Sequence, residues 1–247
     1  MFVGWGIQLR RPTIDIDVQG YTNNTTENLE NIVRDICVQE VEPDGMRFDP
    51  SSVRGEQIMG NSDYPGSRIY FTGYLGDASI YLHLDVSFAN VITPKEILVN
   101  YPSLLGMPEF KLYGYPYETV IAEKFQAMVD LGSINSRMKD FFDLWLLSEQ
   151  VNIAGKTLVR AIQATFQARN TPLPKEIPTA LSVDFGQARQ VDWNAFLRRS
   201  NLNPQEFPSF VEVIEILHEF LWPVVQAALN QDNFDSTWKS GGTWGSK

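Results

Sequence analysis

Cysteine is nearly absent: Cys37 is the only one in 247 residues, so no disulfide can form within the chain. Charges interrupt every apolar run before it reaches the roughly 20 residues that a bilayer crossing needs, which predicts no membrane span. A charged start followed by an apolar run and a small-residue cleavage site is also missing. These absences point to the cytoplasm and predict that the Asn24-Thr25-Thr26 sequon goes unused. Positive charge is scarce as well, with 20 Lys and Arg against 30 Asp and Glu and a formal net charge of −10. That balance repels nucleic acid at long range and argues against a protein that coats DNA regardless of sequence. A nucleic-acid substrate would need a local basic surface; Arg10-Arg11, Arg137 with Lys139, and Arg198-Arg199 are candidates, although such pairs are ordinarily just solvated. There is no internal repeat and no long low-complexity tract.

What the chain does have is 43% hydrophobic and 12% aromatic content, enough for one large domain or a small domain with a helical partner. Isoleucine and valine alternate with aspartate over Thr13 to Val18, the pattern of a half-buried strand. Leu29, Ile32, Val33 and Ile36 fall at helical spacing within Thr26 to Ile36. Asp44 to Ser67, rich in Gly, Pro, Asp and Ser, reads as a loop. Arg68 to Leu75 and Ser79 to Phe88 then form a predicted hairpin turning at Gly76-Asp77. From Tyr117 the spacing is helical, with apolar stripes through Val120 to Leu131, Met138 to Leu147, Leu158 to Phe166 and Val211 to Leu229, interrupted at Pro172 to Pro178. The expected architecture is α+β: a strand-rich core over residues 1–115, a helical domain over 116–230, and a tail over 231–247. That tail is either flexible or an arm whose indoles dock on the body.

Residues two apart on a strand share a face, so Asp15 and Asp17 present adjacent carboxylates. On the later strand Leu82, Leu84, Val86 and Phe88 take one face and Tyr81, His83, Asp85 and Ser87 the other, so Asp85 can join the same open face. Three such aspartates can hold two magnesium ions for phosphoryl-type transfer. The plain alternative is a solvated sheet face; against it, packed like charges repel unless a cation or an arginine sits between them. Lys124 falls inside the apolar arc of its helix, where an ammonium needs a carboxylate or phosphate partner, or must snorkel to water. Glu123, at the edge of that arc, reads as a surface salt-bridge residue. Asp140 and Asp143 lie on a helix apolar on more than one side and are expected to be enclosed, paired with Lys124, Arg137 or Lys139 or facing a substrate. Structural and catalytic roles are equally open for them.

Taken in order, Arg11-Pro12-Thr13-Ile14-Asp15-Ile16-Asp17, Leu84-Asp85-Val86, Ala122-Glu123-Lys124 and Arg137-Met138-Lys139-Asp140-Phe141-Phe142-Asp143-Leu144 resemble the AbiEii-type nucleotidyltransferase toxin family. The family falls within the DNA polymerase beta-like nucleotidyltransferase superfamily, and the resemblance runs from about Arg10 into the C-terminal helices. It implies a mixed or antiparallel sheet core followed by helices, with Mg2+ held by Asp15, Asp17 and Asp85. It further implies nucleotide contacts from Thr13, Lys124 and Lys139, with Asp140 and Asp143 completing the catalytic pocket. The implied reaction moves a nucleoside monophosphate from an NTP to an acceptor hydroxyl, on a transfer RNA 3′ end or a protein. A cognate antitoxin and a role in phage defence are implied in the same way. The superfamily also carries a Gly-Gly or Gly-Ser pair upstream of the Asp-x-Asp strand, where backbone amides cradle phosphate. Gly4-Trp5-Gly6 lies too near Asp15 to be that element, so the expected core lacks its N-terminal phosphate-binding segment. Two other readings stay open: a non-catalytic binding module of the same fold, and a metal-dependent phosphohydrolase or nuclease with His83 as ligand or base.

Overall fold

The computed structural model describes residues 2–7, 16–58, 66–88, 90–103, 106 and 108–245. The chain divides into two compact units, one spanning Thr13–Asn90 and the other combining Met1–Pro12 with Val91–Lys247.

The smaller unit is a four-stranded sheet with one helix. Strands β1 (Ile16–Gln19), β2 (Met46–Ile58), β3 (Gly66–Leu75) and β4 (Ala78–Ser87) lie in the order β1-β4-β3-β2. β1 runs parallel to β4, while β3 is antiparallel to both β4 and β2. The predicted hairpin is β3–β4, turning at Gly76, whose φ of 58° suits a residue without a Cβ. Helix α1 (Thr26–Cys37) starts where the Thr25 hydroxyl accepts from the Asn28 amide. Its Leu29 and Val33 pack on Val53, Ile69 and Val86, flanked by Val18, Phe71, Leu84 and Phe88. One face of the sheet thus supplies the core, and the period-two alternation sends Asp17, Arg68, Tyr70 and Asp85 to the other face.

The loop expected over Asp44 to Ser67 is corrected in part: β2 occupies Met46–Ile58 and is the longest strand among the described residues. Its pattern is broken because the register shifts between Asp49 and Arg54, where Pro50, Ser51 and Ser52 form an irregularity. Ser52 Oγ accepts from the Thr72 amide across that gap, in place of a ladder bond. Glu30 on α1 ties helix to strand, accepting from the Gly55 amide at 2.7 Å and pairing with Arg34 at 2.8 Å. A Cβ at Gly55 would collide with Thr26 and Ile69, so glycine sets how closely α1 approaches β2. The Gly55 bond, then Arg34, hold the Glu30 pKa below its ordinary value. A depressed folded pKa stabilises above the unfolded value, and the contribution is lost as pH falls through the folded one. Glu30→Gln is accordingly expected to lower the melting temperature at pH 7, with the difference from wild type shrinking below about pH 4.5; a thermal melt series over pH 3–7 checks it.

The larger unit holds a hairpin of β5 (Ile97–Tyr101) and β6 (Phe110–Gly114), then α2 (Tyr117–Leu131), α3 (Met138–Gln150), β7 (Ile153–Ala154) and α4 (Gly155–Ala168). It ends with α5 (Val183–Arg199), α6 (Phe210–Asn230) and the short strands β8 (Thr237–Trp238) and β9 (Trp244–Gly245). Helix α5 goes beyond the predicted stripes; its buried Phe185, Trp193 and Leu197 are too sparse to make one. Helix α6 opens with a full capping box between Ser209 and Glu212 and carries Pro223 inside it. Phe125, Phe141, Phe142, Phe166, Trp193, Phe210, Phe220 and Trp238 form the fully buried aromatic core. Of the two readings for the C-terminal residues, the docked arm is the one observed. β8 pairs with β7, Trp238 Nε1 donates to the Ser148 carbonyl at 2.8 Å, and Trp244 Nε1 donates to the Phe220 carbonyl at 3.0 Å. No helix among the described residues is long and apolar enough to cross a membrane.

Candidate functional site

The sheet unit brings two of the expected carboxylates together. Asp17 on β1 and Asp85 on β4 are register partners on parallel strands, on the face opposite α1. Asp15 and Thr13 lie outside the described residues. Among the described residues no group of three or more His, Cys, Asp and Glu is placed to hold a metal ion.

Asp85 has a partner that the sequence reading did not single out. Arg68, its register partner on β3, donates from Nε to Oδ1 at 2.6 Å and from Nη2 to Oδ2 at 2.7 Å. This two-point fork is the strongest form of carboxylate–guanidinium contact, and it raises the Arg68 pKa above its ordinary value, the hydrogen bond to Asp85 being the main cause. It supplies the arginine that packed like charges require. The signal was present in the sequence, since Arg68 alternates with Tyr70 and Thr72 on one face of the hairpin, but the register that places it beside Asp85 is tertiary. An ionised carboxylate has about four lone-pair positions, of which the fork uses two. Asp85 therefore keeps acceptor capacity, and Arg68 fixes the orientation of its oxygens. With Asp17 alongside, the donor set is all oxygen and anionic, which fits a hard divalent cation such as Mg2+.

The helical unit carries a second constellation. Lys124 on α2 places Nζ 2.7 Å from Asp140 Oδ1 and 2.9 Å from Asp143 Oδ2, both on α3. Arg137 Nε reaches Asp140 Oδ2 at 2.8 Å. Asp140 and Asp143 are each 1% exposed, and three residues apart on a helix they line one side of it. Burial by itself would lower the Lys124 pKa, but attraction by Asp143 and then Asp140 outweighs it, so the pKa stands above the ordinary lysine value. The enclosed aspartates expected from the sequence are found, paired with Lys124 and, for Asp140, with Arg137 as well. Lys139 is exposed on α3. Glu123, read as a surface salt-bridge residue, lies 3.6 Å from Arg169 Nη2.

His83 stands two residues along β4 from Asp85, half-buried and beside Tyr70, its register partner, with ring centroids 6.1 Å apart.

Residues 2–216 match the family described as nucleotidyl transferase AbiEii toxin, type IV TA system. No curated protein matches the sequence. Among solved structures, the chain is similar to JHP933 from Helicobacter pylori, with 14% identity and a TM-score of 0.53 over 93% of this chain and 82% of that one. It is also similar to a candidate nucleotidyltransferase from H. pylori, with 14% identity and a TM-score of 0.47 over 94% of this chain and 85% of that one. The first likeness bears on the fold.

Proposed function

The chain belongs to the AbiEii nucleotidyl transferase toxin family, and from that premise we propose that it transfers a nucleoside monophosphate from an NTP to an acceptor hydroxyl with the help of Mg2+. The observation that carries this reading is the pairing of Asp17 with Asp85 across two parallel strands, on the sheet face that does not supply the core.

Asp17 and Asp85, with Asp15 two residues before Asp17, would hold the metal. A bound Mg2+ would neutralise triphosphate charge and lower the pKa of an attacking hydroxyl. Arg68 acts through Asp85 as a positioning residue, keeping the carboxylate in one orientation before any cation arrives. In the helical unit two of the three Lys124 ammonium donors go to Asp140 and Asp143, which leaves one for a phosphate oxygen. A lysine held by two buried carboxylates cannot swing, so its remaining donor has a fixed direction. Thr13 and Lys139 are assigned nucleotide contacts by family resemblance. The acceptor is proposed to be an RNA 3′ end or a protein hydroxyl, with a cognate antitoxin as partner and the cytoplasm as compartment.

The test is incubation of the purified chain with α-labelled nucleoside triphosphates, Mg2+ and total transfer RNA, followed by gel separation of RNA and protein. Label in a macromolecular band that vanishes with EDTA is the expected result. Absence of label, together with no triphosphate binding by calorimetry, would instead favour a non-catalytic module of the same fold. Arg68→Ala frees Asp85 to rotate and is expected to raise the Mg2+ concentration for half-maximal activity by about 10–100-fold. A metal titration unchanged from wild type would remove Arg68 from the site.

A further inference from the structure

The row that carries Asp17 and Asp85 runs on across the whole sheet. Asp17 on β1, Asp85 on β4, Arg68 on β3 and Glu56 on β2 are successive register partners. Arg68 thus stands between two carboxylates, one on each neighbouring strand. Both neighbours are antiparallel to β3, and residues directly opposite on antiparallel strands have Cβ atoms about 4.5–5.5 Å apart. Strand spacing therefore gives the guanidinium no preference for Asp85, and the extra methylene of Glu56 gives that carboxylate the longer reach. Ion pairs open to solvent are individually weak, so the choice of partner falls to whatever else each carboxylate is bonded to.

The observed choice is one-sided. Arg68 gives both Nε and Nη2 to Asp85, while Glu56 Oε1 accepts from the Tyr70 hydroxyl at 2.6 Å. Tyr70 follows Arg68 by two residues on the same face of β3, so its hydroxyl reaches Glu56 diagonally across to β2. The ring is itself held from both sides. Arg54, its register partner on β2, stacks over it with the guanidinium carbon 4.9 Å from the centroid. His83, its register partner on β4, lies on the other side. A hydroxyl that donates to an ionised carboxylate makes one of the stronger hydrogen bonds, and a ring pinned in this way gives it a fixed direction.

Resting on the transferase reading above, we propose that Tyr70 is a positioning residue of the metal site: its hydroxyl anchors Glu56 and so leaves the Arg68 fork to Asp85. Without that hydroxyl Glu56 competes for the guanidinium, the fork divides between two carboxylates, and Asp85 turns more freely beside Asp17. A cation arriving at Asp17 and Asp85 must then order Asp85 as it binds, which lowers its affinity. Tyr70 and Glu56 touch neither metal nor substrate in this arrangement and act through Arg68.

The experiment uses Tyr70→Phe, which keeps the ring under Arg54 and removes only the hydroxyl. Calorimetric titration of the full chain with Mg2+, without nucleotide, is expected to show binding about ten-fold weaker than wild type at an unchanged melting temperature. Glu56→Gln still accepts from Tyr70 but carries no charge to compete with Asp85, so it is expected to bind Mg2+ as wild type does. Tyr70→Phe combined with Glu56→Gln is expected to recover wild-type affinity, a rescue that plain loss of packing would not give. A second measurement needs no metal. Exchange of the Arg68 Nε–H proton with water, followed by NMR and assigned by its loss in Arg68→Lys, is expected to quicken in Tyr70→Phe and to slow again in the double variant. Unchanged exchange in Tyr70→Phe would overturn the proposal. So would faster exchange that the double variant keeps, since Tyr70 would then act on Arg68 directly and not through Glu56. Mg2+ binding equal in wild type and Tyr70→Phe overturns the proposal and leaves the metal site. The expected exchange pattern in a wild-type chain that binds no Mg2+ upholds the Tyr70 anchor and refutes the metal reading.

Discussion

Lys124→Met is expected to lower the unfolding free energy by about 3–5 kcal/mol, the cost of leaving buried carboxylates without their counter-charge. Both Asp140 and Asp143 are almost fully enclosed, and Lys124 contacts both. Arg137 would remain on Asp140, but its side chain is half exposed, so it compensates only in part. Changing Lys124→Met, Asp140→Asn and Asp143→Leu together removes the unpaired charges and is expected to recover much of the loss. Urea unfolding of the three single variants and the triple variant checks this, and equal losses for the single and triple variants would sink the idea. The pH dependence follows from the raised lysine pKa. A folded value above the unfolded one stabilises fully below about pH 10.5, and the contribution is lost as pH rises through the folded value. The gap between wild type and Lys124→Met should therefore close only in strong alkali.

This size of effect decides how Lys124 must be tested in catalysis. Loss of transfer in an unstable variant says nothing about phosphate contact, so activity has to be read well below the variant's melting temperature. Lys124→Arg keeps the charge that the two buried carboxylates need but replaces a point donor with a planar fork, which redirects the donor facing the phosphate. A phosphate-binding lysine would show there as a raised KM for the triphosphate at preserved fold.

Asp17→Asn should act in the opposite way, with transfer lost and stability kept. Asp17 is exposed and shares its face with Asp85, so removing one of two neighbouring negative charges relieves the repulsion between them. If Asp17 holds the metal, its amide replacement should reduce label transfer by at least about 10²–10³-fold, with a melting temperature equal to wild type or slightly above it. Activity within a few-fold of wild type would remove Asp17 from the chemistry. Asp85→Asn is the less clean probe, because it leaves the Arg68 guanidinium without its charged partner.

The strand aspartates, the lysine and the paired helical aspartates could all be named from spacing. Period two put Asp17 and Asp85 on faces that the strands do present, and the helical wheel placed Lys124 among buried neighbours. β2 was hidden because an irregularity at Pro50 to Ser52 erases the alternation that marks a strand. Helix α5 was hidden because Phe185, Trp193 and Leu197 leave much of its surface polar.

By itself the sequence determined the α+β class and the family, and it named the charged side chains of the proposed site, because these depend on residue type and local period. Only the tertiary structure decided which charges meet. Arg68 and Asp85 are 17 residues apart and Lys124 and Asp140 are 16 apart, and neither pairing follows from any local rule. Strand register and helix packing set these partners, and the long-range contacts that fix register and packing leave no periodic mark in the chain.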